Sequence, residues 1–171
     1  QHGDNRYPFF DTDNHAVSTY AVELLAKAGH RRIALIAGPA DWPSVADRLR
    51  GFREAIGSFG LQVYDDLIFH GETSITHGQS AMETVIARGP DIPTAFICCN
   101  SLVAAGVSKT AIQAGIAIPV DLSVVAHDDV LPQVQTDLLE PPLTVTRLAL
   151  RDASQPLADL LVRRIAGEPI L

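Results

Sequence analysis

The residues with the most chemical reach lie in short clusters. Val124-Val125-Ala126 runs directly into His127-Asp128-Asp129. An imidazole beside two carboxylates could hold a metal ion, work as a catalytic pair, or clamp a neutral polar ligand through its hydroxyls. A metal site needs further ligands at compatible spacing, and His15, His70 and His77 do not form a metal-binding motif. Adjacent carboxylates in a turn diverge, so they cannot flank a single glycosidic bond. No Gly-rich phosphate loop, nucleophile elbow or thiol–imidazole arrangement occurs in the sequence. The expectation is a binding protein and not an enzyme, with no cofactor and no metal. Cys98 and Cys99 are the two cysteines. Neighbours on a strand point to opposite faces, which suits neither a disulfide nor a shared metal ion. They read as small apolar fillers in a reducing compartment.

The elements that must position these clusters follow from periodicity. Over 14–28 the residues Val17, Tyr20, Ala21, Leu24, Leu25 and Ala28 share one helical face, Asp13 or Asn14 can cap the start, and Gly29 ends it. Ile33 to Ala37 is then a short apolar run closed by Gly38-Pro39, as expected for a strand buried on both faces. The alternation continues. Helices are predicted at 44–59, 74–87 and 101–114, the last with Ser101 as N-cap, each leading to an apolar run at 67–69, 95–99 and 122–126. Leu143 to Leu148 alternates like a strand, and a last helix is predicted at 154–166. His30, just past Gly29, reads as a structural residue at a helix C-terminus.

Strands alternating with helices imply an α/β fold with a parallel, doubly wound sheet. Ligands of such sheets bind at the carboxyl ends of the strands. That edge comprises Gly38 to Ser44, Gly71 to Thr73, Asn100-Ser101 and His127-Asp128-Asp129.

A chain of 171 residues with 47% hydrophobic content is long enough for one domain with a real core; chains of this size hide roughly 70% of their unfolded surface. The net charge of −7 and the scattered basic residues argue against this segment gripping a phosphate backbone itself. The apolar runs are far shorter than a membrane span, and the N-terminus QHGDNRYP lacks the pattern of an export signal. A cytoplasmic setting without membrane contact is expected.

Several stretches, in order, resemble the effector-binding core of the LacI (lactose repressor) family of bacterial transcription regulators. They are DTDN at 11–14, AGHRRIALIAGP at 28–39, RLRGFREAI at 48–56, PTAFICCN at 93–100, AAGV at 104–107, PVDLSVVAHDD at 119–129 and PPLTVTRLAL at 141–150. Each is weak alone; the ordered set is specific. The resemblance implies a periplasmic-binding-protein-like fold of two lobes with a sugar or other small metabolite between them. It further implies a homodimer, and an N-terminal helix-turn-helix, absent from this segment, that binds operator DNA. On that pattern, residues 1–12 are the end of the N-terminal lobe and a crossover, 13–147 the C-terminal lobe, and 148–171 the return crossover and an N-terminal-lobe helix. A free-standing periplasmic sugar receptor is the alternative.

Cleft positions of the family fall here on Trp42, Ser44, Arg48, Thr73, Asn100 and Asp128. Asp128 can accept two hydroxyl hydrogen bonds, Arg48 can donate, Asn100 can do both, and Trp42 can offer an apolar platform to a sugar ring. Structural alternatives stand beside each. Arg48 could pair with Asp47 or Glu54, Asn100 could satisfy a helix start, Trp42 could merely cover its loop, and Asp128 could be a loop cap. His127 is left outside the ligand set. The chain departs from the family in Ser101 where Asp is usual, Val145 where a second Thr is common, Thr73 where many members carry an aromatic ring, Leu148 where a polar contact is frequent, and a long loop from Val130 to Leu139. Dimer contacts are expected on the exposed faces of the helices at 74–87 and 101–114. There Ala104, Ala105 and Gly106 permit close approach, although they could equally pack on the sheet.

Overall fold

A computed structural model describes residues 11–89, 91–128, 141–147 and 153–168, with Asp128 described in its backbone alone. The chain alternates helix and strand: α1 (Asn14–Lys27), β1 (Ile33–Ala37), α2 (Pro43–Ser58), β2 (Ile68–His70), α3 (Ile75–Ile86), β3 (Ala95–Cys98), α4 (Ser101–Gln113), β4 (Ser123–Asp128), β5 (Thr144–Arg147) and α5 (Ser154–Ile165). The strands form one sheet in the order β2-β1-β3-β4-β5, every pair parallel. The expected α/β fold is therefore the observed one, with element ends within two residues of those predicted. Phe9-Phe10 and the loop from Val130 to Leu139 lie outside the described residues.

Strand alternation divides the core in two. Ile33, Leu35 and Ala37 of β1 with Ala95 and Ile97 of β3 face α1 and α2, where Val22, Leu25, Phe52 and Ile56 cover them. Ala34, Ile36, Phe96 and Cys98 face α3 and α4, under Met82, Val85, Val103 and Val107. Every residue of β1 is buried, which is why that strand reads as an unbroken apolar run and not an alternating one. The side chains of Cys98 and Cys99 are both buried in the α3/α4 half of the core.

Each helix pair crosses at glycine. A Cβ at Gly106 of α4 would lie 2.1 Å from the carbonyl oxygen of Ile75, and one at Gly78 of α3 would lie 2.1 Å from that of Val103. Gly106 and the fully buried Ala104 thus serve packing within the domain, Gly106 against α3 and Ala104 in the core. Of the three small residues considered for close approach to a partner, these two are used internally.

His30 follows α1, its N–H donating to the carbonyl of Leu25. Its ring bridges the amino ends of two strands, with Nδ1 2.8 Å from Thr94 Oγ1 and Nε2 3.0 Å from Ser123 Oγ. Burial lowers its pKa from the usual imidazole value, because desolvation penalises the cation.

Two outcomes follow. Gly106→Ala should cost about 1–3 kcal/mol through overpacking, whereas Gly57→Ala, with open space around its would-be Cβ, should add up to about 1 kcal/mol of helix propensity; urea unfolding of both variants checks the contrast. With its folded-state pKa depressed, His30 contributes stability above the unfolded value near 6.5 that is lost as pH falls through the folded value. Between pH 7 and 5 the wild type should lose more stability than His30→Asn, and equal pH slopes would refute the role.

Candidate functional site

The connections fix where the site must be. From β1 the chain passes to α2 on one face of the sheet, and from β3 to α4 on the other. β1 and β3 are neighbours, so a crevice opens beyond their carboxyl ends, at the point where the winding reverses.

Arg48 of α2 spans this crevice. Its Nε donates to Asn14 Oδ1 at 2.8 Å and its Nη1 donates to the carbonyl of Cys99, just past β3, at 2.9 Å. The carboxylates considered as alternative partners are engaged elsewhere: Asp47 with Arg50 at 2.9 Å, and Glu54 with His15 at 2.8 Å. Asn14 is only 4% exposed. Its Nδ2 donates to the Thr12 carbonyl at 3.1 Å and lies 3.5 Å from Asp11 Oδ1. Asp13 takes the role of N-cap, accepting from the Ala16 N–H at 3.0 Å.

Asn100 is the N-cap of α4. Its Oδ1 accepts from the Val103 N–H at 2.9 Å, and Nδ2 reaches the Thr73 carbonyl at 3.5 Å. The helix-start reading of Asn100 is thus what the geometry displays, and its buried oxygen is committed to the backbone. Trp42 closes a turn in which its N–H donates to the Pro39 carbonyl at 3.2 Å. Pro43 then begins α2 without a side-chain cap. Trp42, 48% exposed, lines an open groove of about 280 Å³ together with Pro39, Glu72, Thr73 and Ser74. Ser44 is half-buried in the first turn of α2. Asp128 ends β4 in register with Arg147.

Two imidazoles brace the same edge. His70 Nδ1 lies 3.2 Å from the Gly38 carbonyl and His77 Nε2 lies 3.1 Å from that of Ala37. A carbonyl only accepts, so both nitrogens carry their protons. His127 is 5% exposed, and its Nδ1 lies 3.2 Å from Thr146 Oγ1. Beneath Arg48 is a small space of about 20 Å³, lined among others by Ser18, Val45, Cys99, His127 and Thr146, roughly the size of one water molecule.

The structure therefore brings Arg48 and Asn100 to the crevice through the Cys99–Asn100 segment, and sets Trp42 and Thr73 on an adjoining groove. Asn14, His127 and Thr146 border the Arg48 site and were not singled out from sequence as ligand contacts or anchors. The DTDN motif marked Asn14 only as a possible cap, and nothing in its spacing signals a partner at position 48. Among the described residues, no group of three or more His, Cys, Asp or Glu side chains is placed to hold a metal ion, and no helix is long and apolar enough to cross a membrane.

Residues 22–170 match the family model described as periplasmic binding protein-like domain. The chain belongs to that family, in the form carried by LacI-type regulators. This periplasmic-binding-protein-like domain is 38% identical over 166 residues to the HTH-type transcriptional regulator AglR of Rhizobium meliloti, covering 97% of the chain and 46% of the relative. A LacI-family regulatory protein from Chloroflexus aggregans superposes with a TM-score of 0.85 at 34% identity, over 95% of this chain and 59% of that one. A solved complex of the transcriptional regulator CelR with cellobiose gives a TM-score of 0.84 at 32% identity, over 94% and 48% of the two chains. The domain spans about half the length of the curated relatives it matches.

Ser101 is fully buried, and its hydroxyl has no hydrogen-bond partner among the described residues. Such a group carries a desolvation cost without compensation. Ser101→Ala should therefore leave stability unchanged or raise it by about 1 kcal/mol; a clear loss in urea unfolding would reveal a partner for the hydroxyl.

Proposed function

We propose that this domain is the effector-sensing part of a LacI-type transcriptional repressor, binding a sugar or polyol in a cleft between two lobes and thereby modulating operator DNA affinity. The observation that carries the reading is Arg48, held by Asn14 and the Cys99 carbonyl across the switch point of the sheet. An anchored guanidinium has already lost its rotamer freedom, so a hydroxyl ligand meets a pre-organised donor. Support for the ligand class comes from a relative of the same fold described in complex with cellobiose. Relatives described as HTH-type regulators favour a regulator over a free-standing periplasmic receptor.

In this reading Asp128 accepts ligand hydroxyls beside Arg48, Trp42 and Thr73 contact the ligand's flank, Ser44 adds a hydroxyl at the start of α2, and Asn100 holds the loop between them. Residues 13–147 are the C-terminal lobe, 1–12 a crossover, and 148–171 the return to the N-terminal lobe. The protein acts in the cytoplasm without catalysis. It functions as a homodimer through the outer faces of α3 and α4, where Ile75 and Ile112 are exposed. By linkage, ligand and operator change each other's affinity by the same factor.

Calorimetry of a sugar and polyol panel that includes cellobiose, on the full chain, tests the site. Arg48→Ala and Asp128→Ala should each weaken the binding ligand by about 10- to 100-fold, as expected for the loss of hydrogen bonds to charged groups. Unchanged affinity in both variants would refute the assignment.

A further inference from the structure

We propose that Asn14 is a positioning residue for Arg48: its amide fixes the guanidinium at the crevice and ties it to the backbone of residues 11–12. The inference rests on the effector-binding reading above and adds to it a residue that the ligand need not touch.

The amide orientation is settled by chemistry. A guanidinium only donates, so the atom facing Arg48 Nε at 2.8 Å must be the oxygen. The NH₂ then faces the Thr12 carbonyl at 3.1 Å and the Asp11 carboxylate at 3.5 Å, both of them acceptors. Each bond is consistent with the others, and reversing the amide would break all three. Helix capping does not account for the residue, because Asp13 supplies the cap. Nor does solvation, since Asn14 is 4% exposed. A buried amide of this kind is retained at little cost only when its donors and acceptor are all met. Here the acceptor is met by Arg48.

The arrangement has a mechanical side. Arg48 is carried by α2, its second acceptor lies at the end of β3, and Asn14 opens α1 directly after Thr12. The planar amide is thus a rigid link between the chain segment entering α1 and the guanidinium at the crevice. A shift of residues 11–12 moves the acceptor that orients Arg48. Without the link, Arg48 keeps its bond to the Cys99 carbonyl but its Nε loses the acceptor that orients it, and a ligand must then remove the added freedom on binding.

Two near-isosteric variants of the full chain separate this role from a structural one. Asn14→Asp keeps an oxygen for Arg48 and is made together with Asp11→Asn, so that its second oxygen does not face another carboxylate, and Asn14→Leu keeps the volume without an oxygen. The first readout needs no ligand: with nitrogen-15-labelled arginine, the Arg48 Nε–H resonance, assigned by its loss in Arg48→Lys, should be protected from solvent exchange in the wild type and Asn14→Asp and unprotected in Asn14→Leu. The second is calorimetric titration with cellobiose. Affinity should hold within about threefold in Asn14→Asp and fall about tenfold in Asn14→Leu, the scale of one lost hydrogen bond to a charged group. Protection that survives in Asn14→Leu overturns the proposal. If Asn14→Leu fails to fold, Asn14→Asp decides alone: protection retained supports the proposal, and protection lost in a protein with unchanged circular dichroism overturns it. If cellobiose binds no form while the resonance behaves as expected, cellobiose is ruled out as the ligand and the positioning role stands.

Discussion

Where parallel strands end inside a protein, their last carbonyls run short of neighbouring donors, and an unmatched buried carbonyl is costly. Side chains meet that demand along the carboxyl edge of this sheet. His77 takes the Ala37 carbonyl, His70 takes that of Gly38, and Arg48 takes that of Cys99. Each donor reaches in from the end of another strand or from a following helix. The loops between β1 and α2, β2 and α3, and β3 and α4 are therefore laced to each other by hydrogen bonds. The edge proposed above to bind a ligand is held by the same bonds that complete the sheet. Arg48 belongs to both tasks, because the carbonyl that satisfies one of its donors also sets the direction of its head group.

Behind that edge the helices are drawn close to one another as well as to the sheet. On one side, a Cβ at Gly51 of α2 would fall 2.2 Å from the His15 carbonyl oxygen of α1; on the other, Gly78 and Gly106 let α3 and α4 meet backbone to backbone. Close-packed pairs of this kind transmit strain poorly by bending and well by moving as units. The position of Arg48 relative to Asn14 is consequently set by the α1–α2 crossing, which Gly51 permits and the His15–Glu54 pair borders.

The architecture was legible because its cause is local and periodic. Ile33 to Ala37 is apolar throughout since it is covered on both faces. The stripe expected on α1 is only partly the buried one: Ala21 and Leu25 face the core, whereas Tyr20, Leu24 and Ala28 are exposed and Val22 and Ala26 are buried instead. The ordered LacI-type motifs placed the candidate residues at the carboxyl edge of the sheet for the same reason: that edge follows from strand direction. What periodicity could not carry is the partnership of residues far apart in sequence. Asn14 and Arg48, His70 and Gly38, and His77 and Ala37 are joined only once the sheet order is known. His30 shows the same limit, for the sequence placed it at the end of α1 and only the fold brings Thr94 and Ser123 to its ring. Asn100 carried two readings because an amide after a strand serves a helix start and a ligand equally well in composition.

The last helix stands apart from these dependencies. None of the residues of α5 is buried, and Leu157, Leu161, Val162 and Ile165 are all exposed. A helix of this length has little stability in water without tertiary packing. Its amide protons should therefore exchange on a timescale unrelated to global unfolding, and the cooperative unit of this domain stops at the sheet and the four helices that cover it. Any apolar surface that covers these side chains would steady α5, which makes the helix a local reporter of such a contact.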